Sequence, residues 1–101
     1  MSSAEPYEVR LSRSAVRAYE RLPPKRRDAV RSALKRLAAD VATPSRRGGK
    51  RVKTIRGPTD AFQRLRVGDL RVMFDVMSKD RVLLILGIVH RSELERWIRG
   101  R

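Results

Sequence analysis

The chain has 101 residues, with 25 Lys and Arg against 11 Asp and Glu, and a formal charge of +14. A chain of this size suits one domain, residues 1–101, with a modest core, and its charge creates a self-repulsion that a polyanionic partner would relieve. The absence of cysteine excludes disulfides and thiolate zinc sites, a lone histidine without clustered carboxylates argues against a metal or cofactor, and no apolar run approaches the roughly 20 residues of a membrane span.

Residues 1–6 are small and polar, an expected disordered start without the apolar segment of a signal peptide, so the expected location is the cytoplasm. Residues 7–11 (YEVRL) alternate apolar and charged, the pattern of an edge strand with Tyr7, Val9 and Leu11 inward. Ser12 or Ser14 can cap the next segment, in which Ala15, Ala18, Tyr19 and Leu22 share one helical face. Pro23-Pro24 ends that helix, and Pro24 suits the first turn of a second, expected over residues 24–41. Val30, Ala33, Leu34, Leu37, Ala38 and Val41 form its apolar stripe, which a helical hairpin has to bury on a sheet. Its arginines cover much of the remaining surface as a solvated face. Residues 42–51 (ATPSRRGGKR) read as a loop, and residues 52–55 as a short extended segment.

Residues 61–77 (AFQRLRVGDLRVMFDVM) carry the clearest local signal. Gly68-Asp69 suits a two-residue hairpin turn, which pairs Val67 with Leu70, Leu65 with Val72 and Gln63 with Phe74. One face is then Leu65, Val67, Leu70, Val72, Phe74 and Val76. The other carries Arg64, Arg66 and Arg71, with Arg66 directly opposite Arg71. Like charges paired across strands are unfavourable, so the expected role of this face is to hold a phosphate. Residues 78–80 turn the chain again. Residues 81–90 (RVLLILGIVH) are apolar without alternation, a pattern shared by a strand covered on both faces and a short buried helix; Gly87 favours the strand. Ser92-Glu93-Leu94-Glu95 reads as a capping box opening a helix that buries Leu94, Trp97 and Ile98. The whole is an α+β domain, a small antiparallel meander sheet packed against an N-terminal helical hairpin with a short C-terminal helix.

Several of these residues have structural readings too. His90 suits a hydrogen bond at the sheet edge, Arg91 can cap strand-end carbonyls, and Glu95 has its place in the capping box. Trp97 suits packing of the last helix more than stacking on a base.

From about residue 7 to 96 the chain resembles the RelE/ParE toxin superfamily of bacterial type II toxin–antitoxin systems. The resemblance rests on the opening strand, the Leu22-Pro23-Pro24 break, and the Gly/Lys-rich loop leading to Ile55-Arg56-Gly57. It continues through Leu65-Arg66-Val67-Gly68-Asp69-Leu70-Arg71-Val72 and closes with Val89-His90-Arg91. It implies a toxin neutralised by an antitoxin wrapped around it. In RelE-like members it implies a metal-independent mRNA endonuclease acting on the ribosome, in which a 2′-hydroxyl attacks the adjacent phosphate. Arg71 then matches the hairpin arginine and Arg91 the arginine ending the last strand, with Arg64 and Arg66 in the basic first arm. His90 is a candidate acid or base. Glu95 stands where many nucleolytic members have a tyrosine, and is a candidate base. Arg46, Arg47, Lys50, Arg51, Lys53 and Arg56 are the expected RNA-backbone contacts. The alternatives are a ParE-type inhibitor of DNA gyrase without chemistry of its own, and a non-toxic nucleic-acid-binding homologue.

Overall fold

The computed structural model describes residues 5–43, 52–56 and 61–100, with the backbone alone at 52–56 and 61. Strand β1 (Glu8–Leu11) leads into helices α1 (Arg13–Arg21) and α2 (Pro24–Val41). Strands β2 (Val52–Arg56), β3 (Ala61–Val67), β4 (Leu70–Met77) and β5 (Val82–His90) follow. A 3₁₀ turn (Arg91–Glu93) then opens α3 (Leu94–Arg99). The expected disordered start lies outside the described residues from 1 to 4, as does the expected loop from 44 to 51.

The strands form one sheet in the order β1-β5-β4-β3-β2. From β2 to β5 it is the expected antiparallel meander. β1 extends it in parallel, with Glu8 beside Val82 and Leu11 beside Ile85. A parallel neighbour needs a long connection, which the helical hairpin and the meander together supply.

Local chemistry sets the helix ends. Ser12 caps α1, its Oγ accepting the Ala15 N–H at 3.1 Å and donating to the Leu86 carbonyl at 2.9 Å. Pro23 and Pro24 separate the two helices, Pro24 opening α2 where a missing N–H costs nothing. The stripe of α2 then packs with Ala15 against Leu65, Leu70, Val72, Phe74, Leu83 and Ile85, forming the main core.

The other sheet face is covered as well. Phe62, Met73 and Leu94 form a second buried cluster, against which Leu86, Val89, Trp97 and Ile98 pack. Strand β5 serves both cores through a bulge: Met73 pairs with Gly87 but Phe74 with Ile85, leaving Leu86 as the extra residue. The bulge switches the strand's phase. Leu83, Ile85 and Ile88 all face the helical hairpin, while Leu86 and Val89 face α3. This is why residues 81–90 show no alternation. Gly87 admits the Trp97 indole: a Cβ there would lie 2.5 Å from its Nε1.

The expected capping box does not form. Arg91 donates its backbone N–H to the Asp69 carbonyl at 2.7 Å, and the chain tightens into a 3₁₀ turn before α3 begins. His90 caps that turn, its Nδ1 accepting the Ser92 N–H at 3.1 Å. Glu93 precedes α3 without a side-chain cap, and the Glu95 carboxylate lies 3.9 Å from Arg99 instead.

Candidate anion-binding site

The β3–β4 turn takes the form its residues favour. Gly68 adopts φ +58° and Asp69 does not follow it into positive φ, the pattern of a type II′ turn. The register is the one read from the sequence, with Val67 opposite Leu70, Leu65 opposite Val72 and Arg66 opposite Arg71. Arg64 lies opposite Met73, which is fully buried in the second core. Beyond that point towards the turn, Arg66 and Arg91 are exposed and Arg71 is half-buried.

Arg71 is the anchor of the group. Its Nη1 donates to the carbonyls of Gly68 at 3.0 Å and Leu70 at 2.9 Å, which holds that end of the guanidinium at the turn. Burial lowers its pKa from the ordinary arginine value, and the positive fields of Arg66, Arg64 and Arg91 lower it further. Arginine stays charged through such a shift, so the four guanidinium groups form a concentrated positive site. Among the described residues no carboxylate forms an ion pair with any of the four. A phosphate can accept from several such planar forks at once, and in doing so offsets their mutual repulsion.

His90 lies opposite Leu70, at the same end of the sheet. Its Nδ1 is 2.8 Å from Ser92 Oγ as well as accepting the Ser92 N–H. With that lone pair occupied, the neutral ring carries its proton on Nε2 and is a donor there. Glu95 is exposed on the first turn of α3 and tied to Arg99 rather than to the cluster. Arg46, Arg47, Lys50 and Arg51 lie outside the described residues. Lys53 and Arg56 lie on β2, at the register positions of Arg64 and Ala61.

Asp69 is a site residue that sequence reasoning took only for a turn former. Its carbonyl holds Arg91 and its carboxylate lies 3.8 Å from Arg26 of α2, so it ties three elements together at the hairpin tip. A backbone carbonyl has no sequence signal. Among the described residues no cluster of His, Asp and Glu is placed to hold a metal ion.

A family model described as the ParE toxin of type II toxin–antitoxin systems, parDE, matches residues 9–95. Among solved structures, the chain is similar to one in the archaeal RelE–RelB complex from Pyrococcus horikoshii OT3, with 28% identity and a TM-score of 0.67. That match covers 86% of this chain and 97% of the other. A chain of the RelBE2 toxin–antitoxin complex from Mycobacterium tuberculosis is 25% identical, with a TM-score of 0.67, covering 86% and 93% of the two chains. The RelB–RelE antitoxin–toxin complex from Methanococcus jannaschii shares the fold at 16% identity, with a TM-score of 0.63 and coverage of 87% and 96%. No curated protein matches the sequence.

Proposed function

The chain belongs to the ParE toxin family, within the RelE/ParE superfamily of type II toxin–antitoxin systems, and from that premise we propose that it is a ribosome-dependent mRNA endonuclease. The observation that carries the proposal is the cluster of Arg64, Arg66, Arg71 and Arg91, with Arg71 held by two backbone carbonyls. In the proposed reaction the 2′-oxygen forms a bond to phosphorus and the bond to the 5′-oxygen breaks. The attacking hydroxyl loses a proton and the leaving oxygen gains one. Charge builds up on the phosphoryl oxygens in the transition state, and fixed guanidinium groups stabilise it most when they need no reorganisation. Arg71 and Arg91 take those oxygens in this reading, and Arg64 and Arg66 add to the positive field. His90 presents Nε2 as the donor to the leaving oxygen. Glu95 is the proposed proton acceptor, which requires its carboxylate to leave Arg99. Arg46, Arg47, Lys50, Arg51, Lys53 and Arg56 are proposed as sequence-blind contacts to RNA backbone.

Primer extension on a message in a reconstituted translation reaction tests this reading. Discrete new 5′ ends that need both ribosomes and Arg71 are the expected result, with none from Arg71→Ala. An intact message from folded wild-type protein would refute the nuclease.

Inhibition of DNA gyrase is the second reading. It is favoured by the ParE family match and by Glu95 in the place of the tyrosine of many nucleolytic members. Loss of supercoiling by purified gyrase on addition of the protein would select it.

The proposed partner in either case is a cognate antitoxin in the cytoplasm, acidic where it meets the basic face; the matched structures named above are toxin–antitoxin complexes. Salt at about 1 M shortens electrostatic reach to about 3 Å and should weaken that complex. Undiminished affinity there would point to an apolar interface instead.

A further inference from the structure

A trough lies between α2 and the β3–β4 turn, outside the arginine cluster but adjoining it. It is lined by Ala29, Ser32 and Ala33 of α2 and by Val67 and Gly68 of the hairpin. Arg36 and Arg66 rim one end, and Lys25 and Arg26 the other. The two ends differ in charge. Arg26 is already paired with Asp69 at 3.8 Å, whereas among the described residues no carboxylate forms an ion pair with Arg36 or Arg66. Arg66 belongs to both places, since it lies opposite Arg71 on the hairpin and also lines the trough. Among the described residues, the position where a Cβ on Gly68 would stand meets nothing within 4 Å, which leaves a corner between cluster and trough.

We propose that this trough is a second phosphate subsite, in which Arg36 and Arg66 hold a backbone phosphate of the RNA strand whose neighbouring phosphate sits in the arginine cluster. The proposal rests on the RNA reading above for its ligand class. A strand anchored in the cluster has to leave it, and the corner at Gly68 leads along Arg66 to Arg36, neither of which is ion-paired with a carboxylate among the described residues. Apart from the Ser32 hydroxyl the uncharged lining offers no side-chain hydrogen bond to a base edge, and among the described residues no aromatic side chain lines the trough for stacking. Recognition there is therefore of the phosphodiester alone, independent of sequence.

The test is fluorescence anisotropy with 2′-O-methyl RNA, which lacks the attacking hydroxyl and so reports binding without cleavage. A dinucleotide, with a single phosphate, fills the cluster alone, whereas a dodecamer also reaches the trough. Arg36→Ala should weaken the dodecamer about fivefold at about 0.1 M salt, the effect of one lost phosphate contact with a salt exponent of about 0.7. It should leave the dinucleotide unchanged, and Arg36→Lys should restore most of the loss. Lys35→Ala removes an equal charge from the part of α2 that faces Val9, Leu11 and Tyr19. It should change dodecamer binding by clearly less than Arg36→Ala does.

Unchanged dodecamer affinity in Arg36→Ala would overturn the subsite, as would an equal loss in Lys35→Ala, which would reduce the effect to net charge. Loss of affinity for an acidic antitoxin in Arg36→Ala, with RNA binding intact, would assign the trough to a protein partner and overturn the proposal as well. Arg71→Ala separates this proposal from its premise. If it weakens both oligonucleotides, the cluster binds RNA whatever Arg36 does. If it weakens neither, or if neither oligonucleotide binds wild-type protein, the subsite is overturned, while primer extension with ribosomes remains the separate test of the nuclease.

Discussion

Replacing Gly87 by alanine probes the joint between β5 and α3. The new Cβ would stand 2.5 Å from Nε1 of Trp97 and 2.7 Å from its Cε2 and Cζ2. Carbon contacts are favourable near about 3.5 Å, so the indole has to retreat by about 1 Å, which forfeits a quarter to a half of each dispersion contact it leaves. β5 cannot yield in its place, because it is paired with β1 on one side and β4 on the other. The six-residue α3 is the part that moves, and with it the edge-to-face contact of Trp97 with Phe62, now at 5.4 Å between centroids. Gly87 has no positive φ, so alanine brings no backbone strain of its own. Overpacking of this kind costs about 1–3 kcal/mol. The assay is urea unfolding followed by far-ultraviolet circular dichroism, with emission of Trp97, the chain's one tryptophan, as the local reporter. The expected result is a loss of about 2 kcal/mol with native emission shifted to the red. In a Trp97→Leu background the same substitution should cost under about 1 kcal/mol, since the clash has gone. Wild-type stability and emission in Gly87→Ala would refute the reasoning, as would a cost that survives the loss of the indole.

Ser12→Ala should destabilise the fold by about 1–2 kcal/mol, because Ser12 Oγ caps α1 and also bonds the Leu86 carbonyl at the bulge; an unchanged urea midpoint would show that neither bond matters. Arg66→Thr should raise stability by about 0.5 kcal/mol at low salt, by removing a like-charge cross-strand pair, and the gain should shrink in molar salt. A loss of stability in that variant would mean that the arginine stem contributes more by packing than its charge costs. Arg91→Ala should abolish growth arrest on expression while leaving the circular dichroism spectrum unchanged; full toxicity would remove Arg91 from the proposed site. A bound oligonucleotide at about 100 times its Kd should stabilise wild-type protein by about 2.7 kcal/mol, and the Arg71→Ala variant by much less. An equal thermal shift in both proteins would place binding away from the cluster.

Much of the architecture was legible in the chain because its signals are local. The Gly68-Asp69 turn sets a register, and a period of two then places Leu65, Val72 and Phe74 on one face and Arg64, Arg66 and Arg71 on the other. Pro23-Pro24 can be accommodated only at a helix boundary, and the spacing of Val30, Leu34, Leu37 and Ala38 specifies which side of α2 is buried. The capping box misled because its pattern of Ser92 and Glu95 is equally local, but a distant group competes with it. Once the Asp69 carbonyl takes the Arg91 N–H, a 3₁₀ turn capped by His90 replaces the first turn of the helix.

The sequence by itself thus determined the α+β class, the helical hairpin, the β3–β4 register and a hairpin face bearing three arginines, since each follows from neighbours a few residues apart. Only the tertiary structure decided that β1 pairs with β5 in parallel, that Ser12 meets the carbonyl of the Leu86 bulge, and that Gly87 lies under Trp97. It also decided that Arg91 joins the three hairpin arginines, through a carbonyl that any residue at position 69 would carry. Contacts of that kind join groups far apart along the chain, often through backbone atoms common to every residue type, so the pattern of side chains does not record them.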